Sequence, residues 1–144
     1  MATEKRAHAV WEGDLVHGSG RVSTDSGSVD QPMTWAARAE DVEGASPEEL
    51  IAAAHATCVS MALSAALARA GTPPKRLETD ATTAFDKVGE GFGLTSIHLR
   101  IRGEVDGLDE EGFRRAAEDA KENCPVSKAL AGNVEITLDA SLAT

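Results

Sequence analysis

Residues 46–70 constrain the fold more than any other stretch, because both of their ends predict the limits of one long helix. Ser46 is a suitable N-cap, and Glu49 three residues later can complete a capping box with it. At the other end Gly71 can adopt the left-handed conformation that stops a helix. At 1.5 Å per residue, such a helix is roughly 36 Å long.

Between Glu49 and Arg69 this helix carries no Asp, Glu, Lys or Arg, and its apolar residues fall on all sides. A helix of this kind has no face suited to water. A membrane span fits less well than a core helix, since His55, Thr57 and Ser60 interrupt the apolar sequence and the rest of the chain is polar. We therefore predict a central core helix and no membrane partner.

The chain as a whole has 144 residues and a formal net charge of −10. This length suffices for a single domain with a moderate core, which we predict over residues 1–144. No Lys/Arg cluster is present to neutralise phosphates, so we predict no nucleic-acid partner. Neither end has the pattern of a signal peptide, and we expect a cytoplasmic location.

The segments around the helix alternate as half-buried strands do, or repeat with helical spacing. Residues 39–45 form an acidic loop ahead of the central helix. This order predicts an α+β fold, with mostly antiparallel sheets packed on the long helix that carries a cysteine. The predicted extended segments are 8–11, 18–24, 33–39, 77–88, 94–104 and 134–142, and the further helices are 109–122 and 126–131.

The two cysteines, Cys58 and Cys124, are the candidates for chemistry. A structural disulfide is not expected in a reducing compartment, whereas a catalytic or redox pair is. The alternative is that both are small hydrophobic core residues. Cys124 precedes a proline and is a candidate N-cap of the helix that follows, where free amides favour a thiolate.

Cys58 lies in the middle of its helix and gains nothing from a helix end, so its thiolate needs a cation from elsewhere. His55, one turn earlier, shares its face, but a lone histidine on a core helix is more often structural. An arginine is the stronger candidate, because it is always charged and offers paired donors. A zinc site at His55, Cys58 and Cys124 is a weaker alternative, since no Cys-x-x-Cys pair is present.

Several motifs together resemble a known family. They are SPEELIAAAHATCVSMALS at 46–64, CPVS at 124–127, WEGD at 11–14, GRVST at 20–24 and ITLD at 136–139. On these residues the chain resembles the osmotically inducible protein and organic hydroperoxide resistance family, on its OsmC side. The resemblance implies a thiol-dependent peroxidase with an OsmC-like fold, an intertwined homodimer, a hydroperoxide substrate and a dithiol or lipoylated-protein reductant. It implies no cofactor and no metal.

Carried over residue by residue, the resemblance makes Cys58 the peroxidatic cysteine and Cys124 the resolving cysteine, with a disulfide forming between them. Glu48 matches the family glutamate. The OsmC branch suggests Arg38 as the family arginine, and Arg21 is the alternative. A non-enzymatic binding module for an apolar ligand, with inert thiols, is the other function that the sequence allows.

Glu48 and Cys58 are ten residues apart on the predicted helix, which is about 15 Å along its axis. Glu48 is then too far away to orient an arginine beside the Cys58 of its own chain. If two copies of the helix cross in an antiparallel sense, Glu48 of one subunit approaches Cys58 of the other. We therefore predict an obligate homodimer, which also accounts for a helix with no wet face.

Overall fold

The computed structural model describes residues 2–40 and 42–143. They form two compact units, one ending at Leu50 and the other beginning at Ile51. The single domain expected from the chain length stays a prediction.

The first unit contains a three-stranded antiparallel meander. Its sheet order is β1-β2-β3. The Trp11 indole donates hydrogen bonds to the carbonyls of Gly13 and Asp14, at 3.1 and 3.3 Å, and so fixes the first connection. Gly20 lies opposite Trp11, where a Cβ atom would meet the indole ring. The strands are β1 (Ala7–Glu12), β2 (Ser19–Thr24) and β3 (Asp30–Met33).

The extended segment predicted at 33–39 is wrong for most of its length, because Trp35–Ala39 forms a short helix, α1. The physical reason is the N-cap: the Thr34 hydroxyl accepts a hydrogen bond from the Ala37 amide at 3.2 Å. This capping satisfies an amide that helix formation would otherwise leave unpaired. In the predicted acidic loop that follows, Asp41 lies outside the described residues.

The long helix is present as α2 (Pro47–Arg69). Its predicted cap is confirmed, since the Ser46 hydroxyl accepts a hydrogen bond from the Glu49 amide at 3.1 Å. Gly71 follows with φ of +87°. By length and composition α2 could cross a membrane, a test that the core helix of a soluble protein also meets.

One side of α2 is buried and the opposite side is open in the single chain. The buried side chains recur every four residues, as expected for one helical face. The open side carries no charged group between Glu49 and Arg69, and Met61 on it is 68% exposed. The buried residues are His55, Val59, Leu63 and Leu67, and the exposed ones are Ala53, Ala54, Thr57, Met61, Ala65 and Ala68.

The sheet of the second unit has the order β4-β5-β6 and is mixed. β4 (Arg76–Val88) and β5 (Gly91–Glu104) form the predicted antiparallel hairpin. β6 (Glu135–Leu142) pairs parallel to β5. The parallel pair requires a long crossover, which α3 (Glu110–Asn123) and α4 (Pro125–Leu130) supply.

The core of the second unit lies between α2, β5 and α3. Alternate residues of β5 face inward, as the sequence pattern predicts. The Asp109 side chain caps α3 by accepting a hydrogen bond from the Gly112 amide at 2.7 Å. The apolar face of α3 then meets the sheet. Fully buried members of this core are Val59, Leu63, Ile97, Leu99, Ile101, Phe113, Ala117 and Cys124.

α3 approaches the sheet closely at Gly103. A Cβ atom at this position would lie 2.5 Å from two ring atoms of Phe113. We expect Gly103→Ala to lower the free energy of unfolding by about 1–3 kcal/mol, because the overpacked ring must shift. Urea denaturation measures the change. Gly91→Ala in the same strand is the control, expected within about 0.5 kcal/mol of wild type, since its Cβ meets only ordinary contacts.

Candidate active site

The structure brings the two cysteines together within the second unit. α2 carries Cys58, and Cys124 is the N-cap residue of α4. Both are free thiols, and they are close enough for each to shift the pKa of the other. Cys58 is partly exposed, whereas Cys124 has no exposed surface. An oxidant from solvent therefore reaches Cys58 more readily than Cys124.

The pKa values of the two thiols move in opposite directions. Burial raises the pKa of Cys58, and neighbouring Cys124 raises it further. Burial also acts to raise the pKa of Cys124, but the Ser127 amide, the Cys58 thiol and the Ser127 hydroxyl together lower it. Within this unit a thiolate is favoured on Cys124, as expected from its place at a helix start. Cys58 still needs a cation.

Arg38 and Glu48 form an ion pair within the first unit. The Arg38 Nε lies 3.1 Å from both Glu48 carboxylate oxygens, and its Nη2 lies 2.8 Å from Oε1. The Glu48 side chain is only 10% exposed. A fork of donors on one carboxylate fixes the plane of the guanidinium as well as its position.

The alternative arginine, Arg21, is paired with a different carboxylate, that of Asp30. Its Nε donates to the Asp30 carboxylate at 2.6 Å across β2 and β3, and both side chains are more than half exposed. An exposed pair of this kind contributes little to stability or to preorganisation. Arg38, and not Arg21, is the arginine that the structure pairs with Glu48.

A cavity of about 340 Å³ lies in the first unit, with Arg38 on its wall. Its lining is otherwise almost entirely apolar and includes both tryptophans, Trp11 and Trp35. Sequence reasoning missed this cavity. The available sequence signal was Trp35, three residues before Arg38, whereas Trp11 lines the cavity only because of the fold. The other lining residues are Ala9, Val10, Leu15, Gly20, Arg21, Val22, Met33, Thr34, Pro47 and Leu50.

His55 is buried and does not supply the cation that Cys58 needs. Burial lowers its pKa, which favours the neutral ring. Its Nε2 lies 2.7 Å from the Ser127 hydroxyl oxygen, whereas its Nδ1 has no hydrogen-bond partner among the described residues. Sequence reasoning did not anticipate Ser127. Over residues 2–40 and 42–143, no group of three or more His, Cys, Asp or Glu side chains is arranged to hold a metal.

The neutral state of His55 predicts a pH dependence of stability. In the unfolded chain the ring takes up a proton as the pH falls through about 6.5, but the folded ring resists protonation. Stability from this group is thus present above pH 6.5 and is lost as the pH falls toward the lower folded pKa. We expect the free energy of unfolding to fall more steeply below pH 6.5 in wild type than in His55→Gln. Urea titrations at a series of pH values give the free energy of unfolding. If it falls equally steeply with decreasing pH in the two proteins, the prediction is wrong.

Comparison with known proteins gives matches over most of the chain. The family described as OsmC-like protein matches residues 39–139. Peroxiredoxin OsmC of Escherichia coli strain K12 is 46% identical over 143 residues, covering 99% of each chain.

Solved structures match as widely. An organic hydroperoxide resistance protein from Elizabethkingia anophelis gives a TM-score of 0.78 at 26% identity, covering 99% of this chain and 100% of its own. The organic hydroperoxide resistance protein OhrB of Bacillus subtilis gives a TM-score of 0.75 at 28% identity, covering 94% and 98%. The predicted α+β class is confirmed by these likenesses.

Proposed function

The chain belongs to the OsmC-like protein family and is a cysteine-based peroxidase, and we propose that it reduces organic hydroperoxides through Cys58 and Cys124. The family resemblance stated from the motifs is confirmed, and with it a role in the antioxidant response. One observation carries the division of roles: two reduced thiols lie within reach of each other, one open to solvent and one fully buried. A partly exposed thiol beside a second thiol is the arrangement of a peroxidatic and a resolving cysteine.

The proposed reaction has two steps. The Cys58 thiolate attacks the distal peroxide oxygen, the O–O bond breaks, and the alkoxide leaves as alcohol after taking a proton. Cys58 is then a sulfenic acid. The Cys124 sulfur attacks the Cys58 sulfur, a disulfide forms, and hydroxide leaves as water. An external dithiol or a lipoylated protein, as the family resemblance implies, returns both thiols by disulfide exchange.

Arg38 activates Cys58 in this proposal. A fixed positive charge next to a thiol stabilises its thiolate, which offsets the burial that raises the Cys58 pKa. Glu48 holds the guanidinium in one orientation through two carboxylate oxygens. The same guanidinium stabilises the negative charge that develops on the leaving peroxide oxygen.

The cavity beside Arg38 supports an organic substrate. Its volume of about 340 Å³ lies within the range of small-molecule sites, and its walls are almost entirely apolar. An alkyl group gains free energy by leaving water for such a surface, whereas hydrogen peroxide has no apolar part to bury. We therefore expect higher kcat/KM values with alkyl hydroperoxides than with hydrogen peroxide. The binding-module alternative shares this cavity but leaves the thiol pair without a role.

A homodimer completes the proposed site. The open side of α2 lacks charge over more than five turns, and Met61 at its middle is 68% exposed. A second copy of the same helix covers this surface with like residues. In an antiparallel crossing, the Arg38–Glu48 pair of one subunit serves Cys58 of the partner subunit. We place this homodimer in the cytoplasm, where thiols are kept reduced.

Substitution of each cysteine tests the division of roles. Cys58→Ser removes the nucleophile, so we expect single-turnover reduction of an alkyl hydroperoxide to fall by several orders of magnitude. Cys124→Ser keeps the nucleophile, so we expect one stoichiometric reduction, after which the protein stalls or Cys58 oxidises further. Rapid mixing followed by acid quench and mass spectrometry counts the products.

Hydrogen peroxide in place of the alkyl hydroperoxide is the substrate control for that experiment. Equal loss of the first turnover in both variants contradicts the proposed roles. Unchanged turnover in Cys58→Ser contradicts the proposed function itself.

Mixed dimers test the crossed helices. Glu48→Ala and Cys58→Ser are each expected to be nearly inactive alone. In a co-refolded heterodimer, one site combines wild-type Glu48 and wild-type Cys58 from different chains, and the other site lacks both. We expect about half of wild-type activity per heterodimer, because residues that act as a unit must all be present in one site.

The dimer itself is checked first by sedimentation of the wild-type protein. Native mass spectrometry then gives the fraction of heterodimer in the mixture. Heterodimers that are confirmed by mass but no more active than either parent would falsify the crossed-helix arrangement. A folded, active monomer would contradict the prediction of an obligate dimer.

A further inference from the structure

The buried pair His55 and Ser127 connects to the resolving cysteine. Ser127 lies three residues after Cys124, the N-cap residue of α4, and its amide and hydroxyl lower the pKa of the Cys124 thiol. The same hydroxyl oxygen is 2.7 Å from Nε2 of His55. His55, Ser127 and Cys124 are 0%, 4% and 0% exposed. The three side chains form one buried cluster, in which His55 and Ser127 are hydrogen-bonded and Cys124 is the neighbouring thiol.

The unpartnered nitrogen of the His55 ring indicates which atom donates in the hydrogen bond between His55 and Ser127. His55 Nδ1 is buried and makes no hydrogen bond among the described residues. An orphaned buried N–H group is rarer than an orphaned acceptor, which places the ring proton on Nε2 and leaves Nδ1 bare. Nε2–H then donates to the Ser127 oxygen, and the Ser127 hydroxyl is left to donate to sulfur.

An apolar side chain at position 55 would avoid the unpartnered nitrogen. Burying a polar atom without a partner is unfavourable, and the neighbouring positions of this face, Val59 and Leu63, are aliphatic. Retention of His55 therefore calls for a role that a hydrocarbon cannot perform. Fixing the Ser127 hydroxyl toward Cys124 is such a role.

We propose that His55 and Ser127 are positioning residues for the second step of the reaction, holding the Cys124 sulfur as a hydrogen-bond acceptor aimed at Cys58. This inference rests on the proposed function of the cysteine pair. In the step concerned, the Cys124 sulfur forms the S–S bond, the S–O bond of the Cys58 sulfenic acid breaks, and hydroxide takes up a proton to leave as water. The first step, attack of Cys58 on peroxide, uses neither residue.

The test separates the two steps by rapid mixing of the reduced protein with an alkyl hydroperoxide, acid quench and mass spectrometry. We expect disulfide formation to slow roughly tenfold or more in Ser127→Ala and His55→Leu, the size of effect expected for one lost hydrogen bond. Sulfenic acid formation should change less than about twofold, since Cys58 is untouched. The two variants should also over-oxidise at lower peroxide concentrations.

Conservative variants distinguish a directed hydrogen bond from general damage. Ser127→Thr keeps a hydroxyl, and His55→Gln keeps a neutral N–H donor, so both should retain near-wild-type disulfide formation. Ser60→Ala is the matched control, because it removes another hydroxyl bond of α2, the 2.7 Å contact with Thr79, and leaves the His55–Ser127 hydrogen bond intact. It should leave both steps unchanged.

A spectroscopic measurement on the reduced protein needs no turnover. The infrared S–H stretch of Cys124, read in a Cys58→Ser background at a pH low enough to protonate the thiol, should shift in Ser127→Ala and His55→Leu but not in Ser60→Ala. Wild-type rates and an unshifted stretch in the first two variants overturn the inference and leave the proposed function standing. A wild-type protein that forms no disulfide overturns the proposed function, whatever the stretch shows. If Ser127→Ala does not fold, His55→Leu decides the outcome alone.

Discussion

The long helix α2 sets the problem that the rest of the molecule has to solve, because it offers no side suited to water along most of its length. The chain buries one side of it, where His55, Val59, Leu63 and Leu67 recur at four-residue spacing. That packing fixes Cys58 on a rigid element, one turn from His55. The opposite side is left to small and apolar residues, and its burial requires a surface of matching chemistry. Oligomerisation and catalysis therefore share one structural element in the proposed dimer.

The ion pair of Arg38 and Glu48 is the second constraint. Removing a carboxylate from water is unfavourable, and an ion pair at such a depth stabilises a fold little or not at all compared with apolar residues. In the proposed reaction the pair has a role besides stability, since burial raises the Cys58 pKa and a fixed positive charge would offset that effect. Under that proposal the pair contributes preorganised charge rather than stability.

Local rules predicted the long helices whose ends carry caps, and failed for a short capped helix and for the direction of a strand that distant contacts decide. Ser46 and Asp109 predicted the starts of α2 and α3, and the side chains of both accept the expected amide hydrogen bonds. The helix at Trp35–Ala39 depends on the single cap at Thr34 and is too short for a periodic pattern to reveal. The alternation of β6 gave its inward face but not its direction, which the crossover through α3 and α4 determines.

Some residues of the candidate site could be found from the sequence, and others only from the fold. Cys58, Cys124, Arg38 and Glu48 came from a family resemblance, and their pairing in space could not follow from spacing alone. His55 and Ser127 are 72 residues apart, and no sequence rule joins a helix histidine to a serine at that distance. Only the fold shows that burial lowers the pKa of His55 and that its ring is hydrogen-bonded to the Ser127 hydroxyl.

Solvent exposure and a lowered thiol pKa belong to different cysteines. In the proposed reaction this separation determines which cysteine reacts first. Cys124 has the environment that favours a thiolate, yet it has no exposed surface, so peroxide cannot reach it first. Cys58 is partly exposed but needs an external charge to ionise. In the proposed reaction, a peroxide therefore oxidises Cys58 only where that charge is in place. The sulfenic acid of that proposal forms next to a sulfur whose pKa is lowered, which shortens the time available for a second oxidation.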